Sequence, residues 1–85
     1  MHYVYIIKSL RDGSHYTGTT INLRRRLYEH NEGMSPPTKG RIPYHLVWYS
    51  AFTDEQIAIQ FEKYLKTGSG IAFARKRLVP VIPLK

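Results

Sequence analysis

The chain has 85 residues, 42% of them hydrophobic and 22% charged, which points to one small folded domain with a small core. Thirteen lysines and arginines against six acids leave a net charge of +7, and there is no cysteine. Disulfides, zinc fingers and thiol chemistry are therefore excluded, and no apolar run approaches the roughly 20 residues that span a bilayer.

The opening residues, Met1 to Ile7, carry no basic region before their apolar stretch. A signal peptide is not expected, and the reading is a cytoplasmic protein with no membrane partner. Tyr3–Lys8 is rich in aromatic and β-branched residues and predicts a strand, central or well covered. Arg11–Ser14 predicts a turn in which Gly13 is able to take a positive φ, and His15–Thr19 a second strand. Gly18 falls where that strand is expected to run out, the place for a turn or a close backbone approach. Thr20, Ile21 and Asn22 offer caps for a helix over about Leu23–Asn31. The segment from there to Pro43 holds Pro36, Pro37 and Gly40 and reads as a mobile loop.

Tyr44–Ser50 predicts a third strand. Thr53 or Asp54 then caps a helix reaching about Lys66, with Ile57, Phe61, Tyr64 and Leu65 as its apolar face. Thr67–Gly70 is expected to break the chain before a last helix, Ile71 to about Leu78. Pro80 and Pro83 are expected to stop regular structure near the terminus. The order β-β-α-β-α-α implies an α+β domain, a small three-stranded antiparallel sheet flanked by helices, and a single domain over residues 1–85.

The basic balance favours a polyanionic partner. Nucleic acid is the first candidate, while anionic lipid and plain solubility answer to the same electrostatics. The four histidines, His2, His15, His30 and His45, show no compact metal-ligand spacing. At about 100° per residue from Leu23, Arg25 falls about 200° away and faces water, while Arg26 lies about 60° from the packed face. His30 is four residues from Arg26 on the same side of the helix. Arg26 is either a snorkelling surface residue or an arginine aimed at a phosphate. Tyr5 and Tyr16 belong to the paired strands and read first as packing. A phenol near His30 could also pass on a proton, given a positive neighbour to lower its pKa. Glu62 sits at the edge of an apolar stripe, beside Ala58 and Leu65. It is either a metal ligand or a solvated partner of Lys63 or Lys66. One carboxylate with water and phosphate oxygens suits Mg²⁺.

Tyr3-Val4-Tyr5, then Tyr16-Thr17-Gly18, then the run from Thr19 to His30 with its Arg26, and finally Glu62 together resemble the GIY-YIG nuclease family. Glu62-Lys63-Tyr64-Leu65-Lys66-Thr67-Gly68-Ser69-Gly70 is similar to a stretch of its small stand-alone members, whose domain resembles the nuclease domain of excision-repair and homing endonucleases. The likeness covers nearly the whole chain. Tyr3 stands in place of the first glycine of the eponymous motif, and Thr17 in place of its middle isoleucine.

The resemblance implies hydrolysis of DNA phosphodiesters with Mg²⁺ or Mn²⁺. It implies Tyr5 as general base, with Tyr16 close to the water or phosphate and sharing that role. It implies His30 bonded to Tyr5 and receiving its proton, Arg26 on the phosphate, Glu62 on the metal, and Gly18 keeping bulk away. These five side chains are expected to converge on one concave face. DNA contact is expected from Arg24, Arg25, Lys39, Arg41, Arg75, Lys76 and Arg77, mostly to the phosphate backbone and with low sequence preference. A protein partner could supply targeting. The competing reading is a nucleic-acid-binding module on the same scaffold that cleaves little or nothing.

Overall fold

The computed structural model describes residues 1–79, so Pro80 and Pro83, expected to stop regular structure, lie outside the described residues. The order is β1 (His2–Ser9), β2 (His15–Thr20), α1 (Leu23–Asn31), a 3₁₀ turn (Lys39–Arg41), β3 (Tyr44–Phe52), α2 (Glu55–Leu65) and α3 (Gly68–Arg77). The strands form one antiparallel sheet ordered β2-β1-β3, so the chain has the expected α+β architecture with β1 in the centre. Among the described residues no helix is long and apolar enough to cross a membrane.

A central strand covered on both sides must be apolar on both faces, and β1 is. Its alternation sends Tyr5 and Ile7 to one side, where Leu23 and Leu27 of α1 pack with Tyr16, Tyr44 and Leu46. Val4 and Ile6 go to the other side, against Ala58 and Leu65 of α2 and Ala74 of α3. The result is three layers: α1, the sheet, and the α2–α3 pair. β3 carries one extra residue opposite Ile6 and Ile7, because Ile6 pairs with Trp48 and Ile7 with Leu46. This bulge at Val47 lets both Val47 and Trp48 pack with the α2–α3 layer while Leu46 stays on the α1 side.

The helix caps follow from short polar side chains. Asn22 accepts from the Arg25 N–H at 3.1 Å, and Asp54 from the Gln56 and Ile57 N–H groups at 2.8 and 3.2 Å. At the far end of α1, Asn31 grips the backbone of Tyr44 twice. Its Nδ2 donates to the Tyr44 carbonyl at 3.0 Å and its Oδ1 accepts from the Tyr44 N–H at 2.6 Å. That clamp fixes the last turn of α1 against the start of β3.

Two expectations are corrected. The inward face of α2 is Ala58, Phe61 and Leu65, whereas Ile57 and Tyr64 are 52% and 40% exposed. The small Ala58 lets the helix approach Val4 and Ile6, and that contact sets the helix rotation. The break before α3 is also shorter than expected. Only Lys66 and Thr67 interrupt the helices, and Gly68–Gly70 form the first turn of α3. Thr67 caps it by accepting from the Gly70 N–H at 3.1 Å, while its hydroxyl donates to the Tyr64 carbonyl at 2.7 Å. Gly70 is buried directly on that backbone, where a Cβ would collide with the Tyr64 carbonyl. A Cβ on Gly68 meets nothing within 4 Å.

Because the obstruction at Gly70 is backbone and cannot rotate away, Gly70→Ala should lower stability by about 1–3 kcal/mol. Gly68→Ala should leave stability unchanged or raise it slightly. Urea denaturation of the two variants beside the wild type checks the contrast.

Candidate active site

Gly18 lies inside β2, not at its end, and pairs with Tyr5 across the ladder. A Cβ there would stand 2.5 Å from Tyr5 Oη. The close approach that a strand glycine signals is therefore with a side chain: the Tyr5 phenol uses the space that Gly18 leaves empty. It reaches His30 on α1, with Oη 2.7 Å from Nε2. His30 is fully buried. Its Nδ1 lies 2.7 Å from Thr38 Oγ1, which in turn lies 3.3 Å from the Ser35 carbonyl. A carbonyl only accepts, so the Thr38 hydroxyl is assigned as its donor and His30 Nδ1–H as donor to Thr38. His30 Nε2 is then the acceptor for the Tyr5 hydroxyl.

The electrostatics agree with that assignment. Burial, with help from the nearby positive charge of Arg26, pushes His30 down to about 4. Burial raises Tyr5 to about 12, against the opposing pull of Arg26. At neutral pH the pair is a neutral imidazole and a protonated phenol. Arg26 is partly buried at the rim. Its Nη1 donates to Glu29 at 3.0 Å and its Nη2 to Ser35 Oγ at 3.2 Å, which leaves further guanidinium donors for a ligand. The Glu29 carboxyl is held below the usual range, first by its hydrogen bond from Arg26.

Tyr16 adds the second phenol, its ring centroid 5.2 Å from that of His30. Lys66 also lies over the Tyr16 ring, its Nζ 5.9 Å from the centroid. Lys66 is ion-paired to Glu62 one turn earlier on α2. The Glu62 side chain is 15% exposed, and its charge is among those that raise Tyr5. Lys66 is one of the two lysines that the sequence offers Glu62 as a partner, and the pair leaves both readings of the carboxylate open. Tyr5, Tyr16, Arg26 and His30 share the α1 side of the sheet. Glu62 comes from the opposite layer, linked to them around the edge strand β2 through Lys66 and Tyr16.

The segment read as a mobile loop is partly interior. Ser35 and Thr38 are 2% and 0% exposed and contact Arg26 and His30. Nothing in their sequence context marks them, because serine and threonine beside Pro36-Pro37 read as surface loop. The seven cations expected to touch DNA do not form one patch. Arg24 and Arg25 lie on α1, with Arg25 paired to Glu29. Lys39 and Arg41 lie in the 3₁₀ turn, with Arg41 paired to Asp12 at 3.3 Å. Arg75, Lys76 and Arg77 lie exposed on α3, in the layer across the sheet from α1.

The GIY-YIG catalytic domain matches residues 1–71. The chain is 43% identical over 67 residues to a UPF0213 protein of Clostridium perfringens, covering 78% of this chain and 71% of that relative. It is 35% identical over 82 residues to one of Staphylococcus saprophyticus, covering 95% and 93%. The solution NMR structure of a UPF0213 protein from Bacillus halodurans superposes with a TM-score of 0.56 at 34% identity, over 93% of this chain and 87% of that one.

Because His30 is harder to protonate in the fold than in the unfolded chain, acid favours unfolding. Stability should be full above about pH 6.5 and should fall as pH drops toward 4, by on the order of 2–3 kcal/mol. Urea titrations across that window should show the slope. His30→Asn should be less stable at pH 7 and should lose most of this pH dependence.

Proposed function

The chain belongs to the GIY-YIG nuclease family, and from that premise we propose that it is a metal-dependent endonuclease hydrolysing DNA phosphodiester bonds with low sequence preference. The observation that carries the reading is the gathering of two phenols, a buried neutral imidazole and a partly free guanidinium on the α1 side of the sheet, while the Glu62 carboxylate, expected on the same face, approaches from the other layer around the strand edge.

Among the described residues no group of three His, Asp or Glu side chains could hold a metal ion. A zinc-type site does not fit. One hard carboxylate, Glu62, fits Mg²⁺ or Mn²⁺, whose coordination is completed by water and substrate oxygens. When bound, such an ion supplies Lewis-acid polarisation of the phosphoryl oxygen and charge for the leaving group.

The remaining roles fall to the chain itself. Arg26 holds a non-bridging phosphate oxygen with the donors that Glu29 and Ser35 leave free, and offsets charge as it develops. Glu29 and Ser35 fix its plane. The Tyr5 oxygen takes the proton of the attacking water as its own proton passes to His30 Nε2. Thr38 keeps that nitrogen unprotonated and ready. Burial keeps Tyr5 protonated and His30 neutral, so the resting centre does not transfer this proton by itself. Transfer is coupled to deprotonation of the water, with Arg26 offsetting the negative charge that develops on the phenol oxygen. Tyr16, beside Lys66, shares the base role. The new P–O bond forms to the water oxygen, and the bond to the leaving sugar oxygen breaks.

The ion pair between Glu62 and Lys66 supports a second reading. A carboxylate neutralised in this way suits a DNA-binding module that cleaves little.

Purified protein should nick supercoiled plasmid when Mg²⁺ or Mn²⁺ is added, and Arg26→Ala should slow nicking by about 10²–10³-fold. Absence of nicking with DNA binding retained would overturn the nuclease reading in favour of the binding module.

A further inference from the structure

Behind the Glu62–Lys66 pair a groove of about 570 Å³ runs between the edge of β2 and the α2–α3 corner. Its size falls in the range of roughly 300–1,000 Å³ typical of sites for small organic ligands, and it is too small for a duplex. The floor is apolar, formed by Ile6, Leu65 and Ala74, with Ile71 on the rim and 44% exposed. The charged and titratable side chains around it are His15, Lys66 and Arg75, together with the phenol of Tyr16. No acid is among the described lining residues. Lys66 and Tyr16 belong to both the groove and the candidate centre, so the two are continuous.

We propose that this groove takes an unpaired nucleotide of the DNA substrate, next to the phosphodiester to be cut. The argument is one of complementarity. A base-paired nucleotide hides its faces in the stack and presents phosphate, sugar and base edges outward, which would meet the rim and leave the apolar floor against water. An unpaired nucleotide offers both parts at once. Its flat base covers Ile71 and the floor, and its phosphate meets Lys66 and Arg75. The anionic phosphate also gives Lys66 an alternative partner to Glu62, so filling the groove frees the carboxylate for a cation. The proposal rests on the DNA-directed reading of the centre and adds to it a substrate class, namely flapped, bulged or otherwise locally unpaired DNA.

Binding measured in EDTA separates this proposal from catalysis. The probes are a fluorescein-labelled blunt-ended duplex of two fully paired strands and the same duplex bearing a short single-stranded flap, followed by fluorescence anisotropy. The wild type should bind the flapped probe about fivefold tighter or more. Ile71→Glu, a change at an exposed position, and Arg75→Gln should each bring that ratio close to one, with circular dichroism showing that both variants are folded. Equal binding of the two probes by the wild type would overturn the proposal and leave the nuclease reading standing. A preference that survives both substitutions would place flap recognition elsewhere and overturn it too. A concentration-dependent dimer abolished by Ile71→Glu would assign the groove to a second copy of the chain, with the same consequence. A preference lost in the variants, with no cleavage of either probe in Mg²⁺ or Mn²⁺, would uphold the groove and remove the nuclease reading.

Discussion

His30 has no contact with solvent, so each of its ring nitrogens must find a partner within the protein. That requirement ties together three parts of the chain far apart in sequence. Nε2 is met by Tyr5 from the central strand, and Nδ1 by Thr38 from the connection after α1. Reaching Tyr5 requires a gap over β2, which Gly18 provides. Holding the ring at the right depth requires the end of α1 to be fixed, and Asn31, the next residue, clamps it to Tyr44. A polar chain of this kind in a low-dielectric interior is stable only when every member is satisfied. Among the described residues no buried side-chain polar atom is left without a partner.

The same arrangement sets the charge states of the candidate centre. Burial keeps the imidazole neutral and the phenol protonated, while Arg26 at the rim supplies positive charge close to both. The guanidinium is itself held by Glu29 and Ser35, so its direction is decided before any ligand arrives. Preorganised donors of this kind stabilise a transition state without rearranging during the reaction. Across β2, Glu62 is held in place by Lys66. The groove and the candidate centre meet at that ion pair.

The sheet was legible in the sequence because its signals are local. Aromatic and β-branched residues mark β1 and β3, and the glycine turn marks the hairpin. Asn22 and Asp54 mark two helix starts by the chemistry of their side chains. The wheel correctly turns Arg25 outward and brings Arg26 and His30 to the packed side, since periodicity fixes direction even when it says nothing about partners. What failed was decided by tertiary contact. Ile57 reads as core, yet the small Ala58 faces the sheet in its place. Gly68–Gly70 reads as a break, yet Thr67 caps it into a helix. Ser35 and Thr38 read as loop because their value lies in reaching residues on α1, a relation that no local pattern records. The motif residues themselves were legible by family likeness. The ion pair covering Glu62 was one of two open readings.

The division of the centre between layers has a bearing on inheritance and engineering. Four of its side chains ride on the α1 side of the sheet, while the carboxylate rides on α2, whose rotation is set by Ala58, Phe61 and Leu65. A displacement of about 1 Å in a reacting constellation can reduce a rate by about 10²-fold. Conservative exchanges at the α2–sheet contact would then act as tuning mutations. They would shift Glu62 relative to Arg26 and, on the nuclease reading, alter turnover while leaving the fold, and every residue of the motif, untouched.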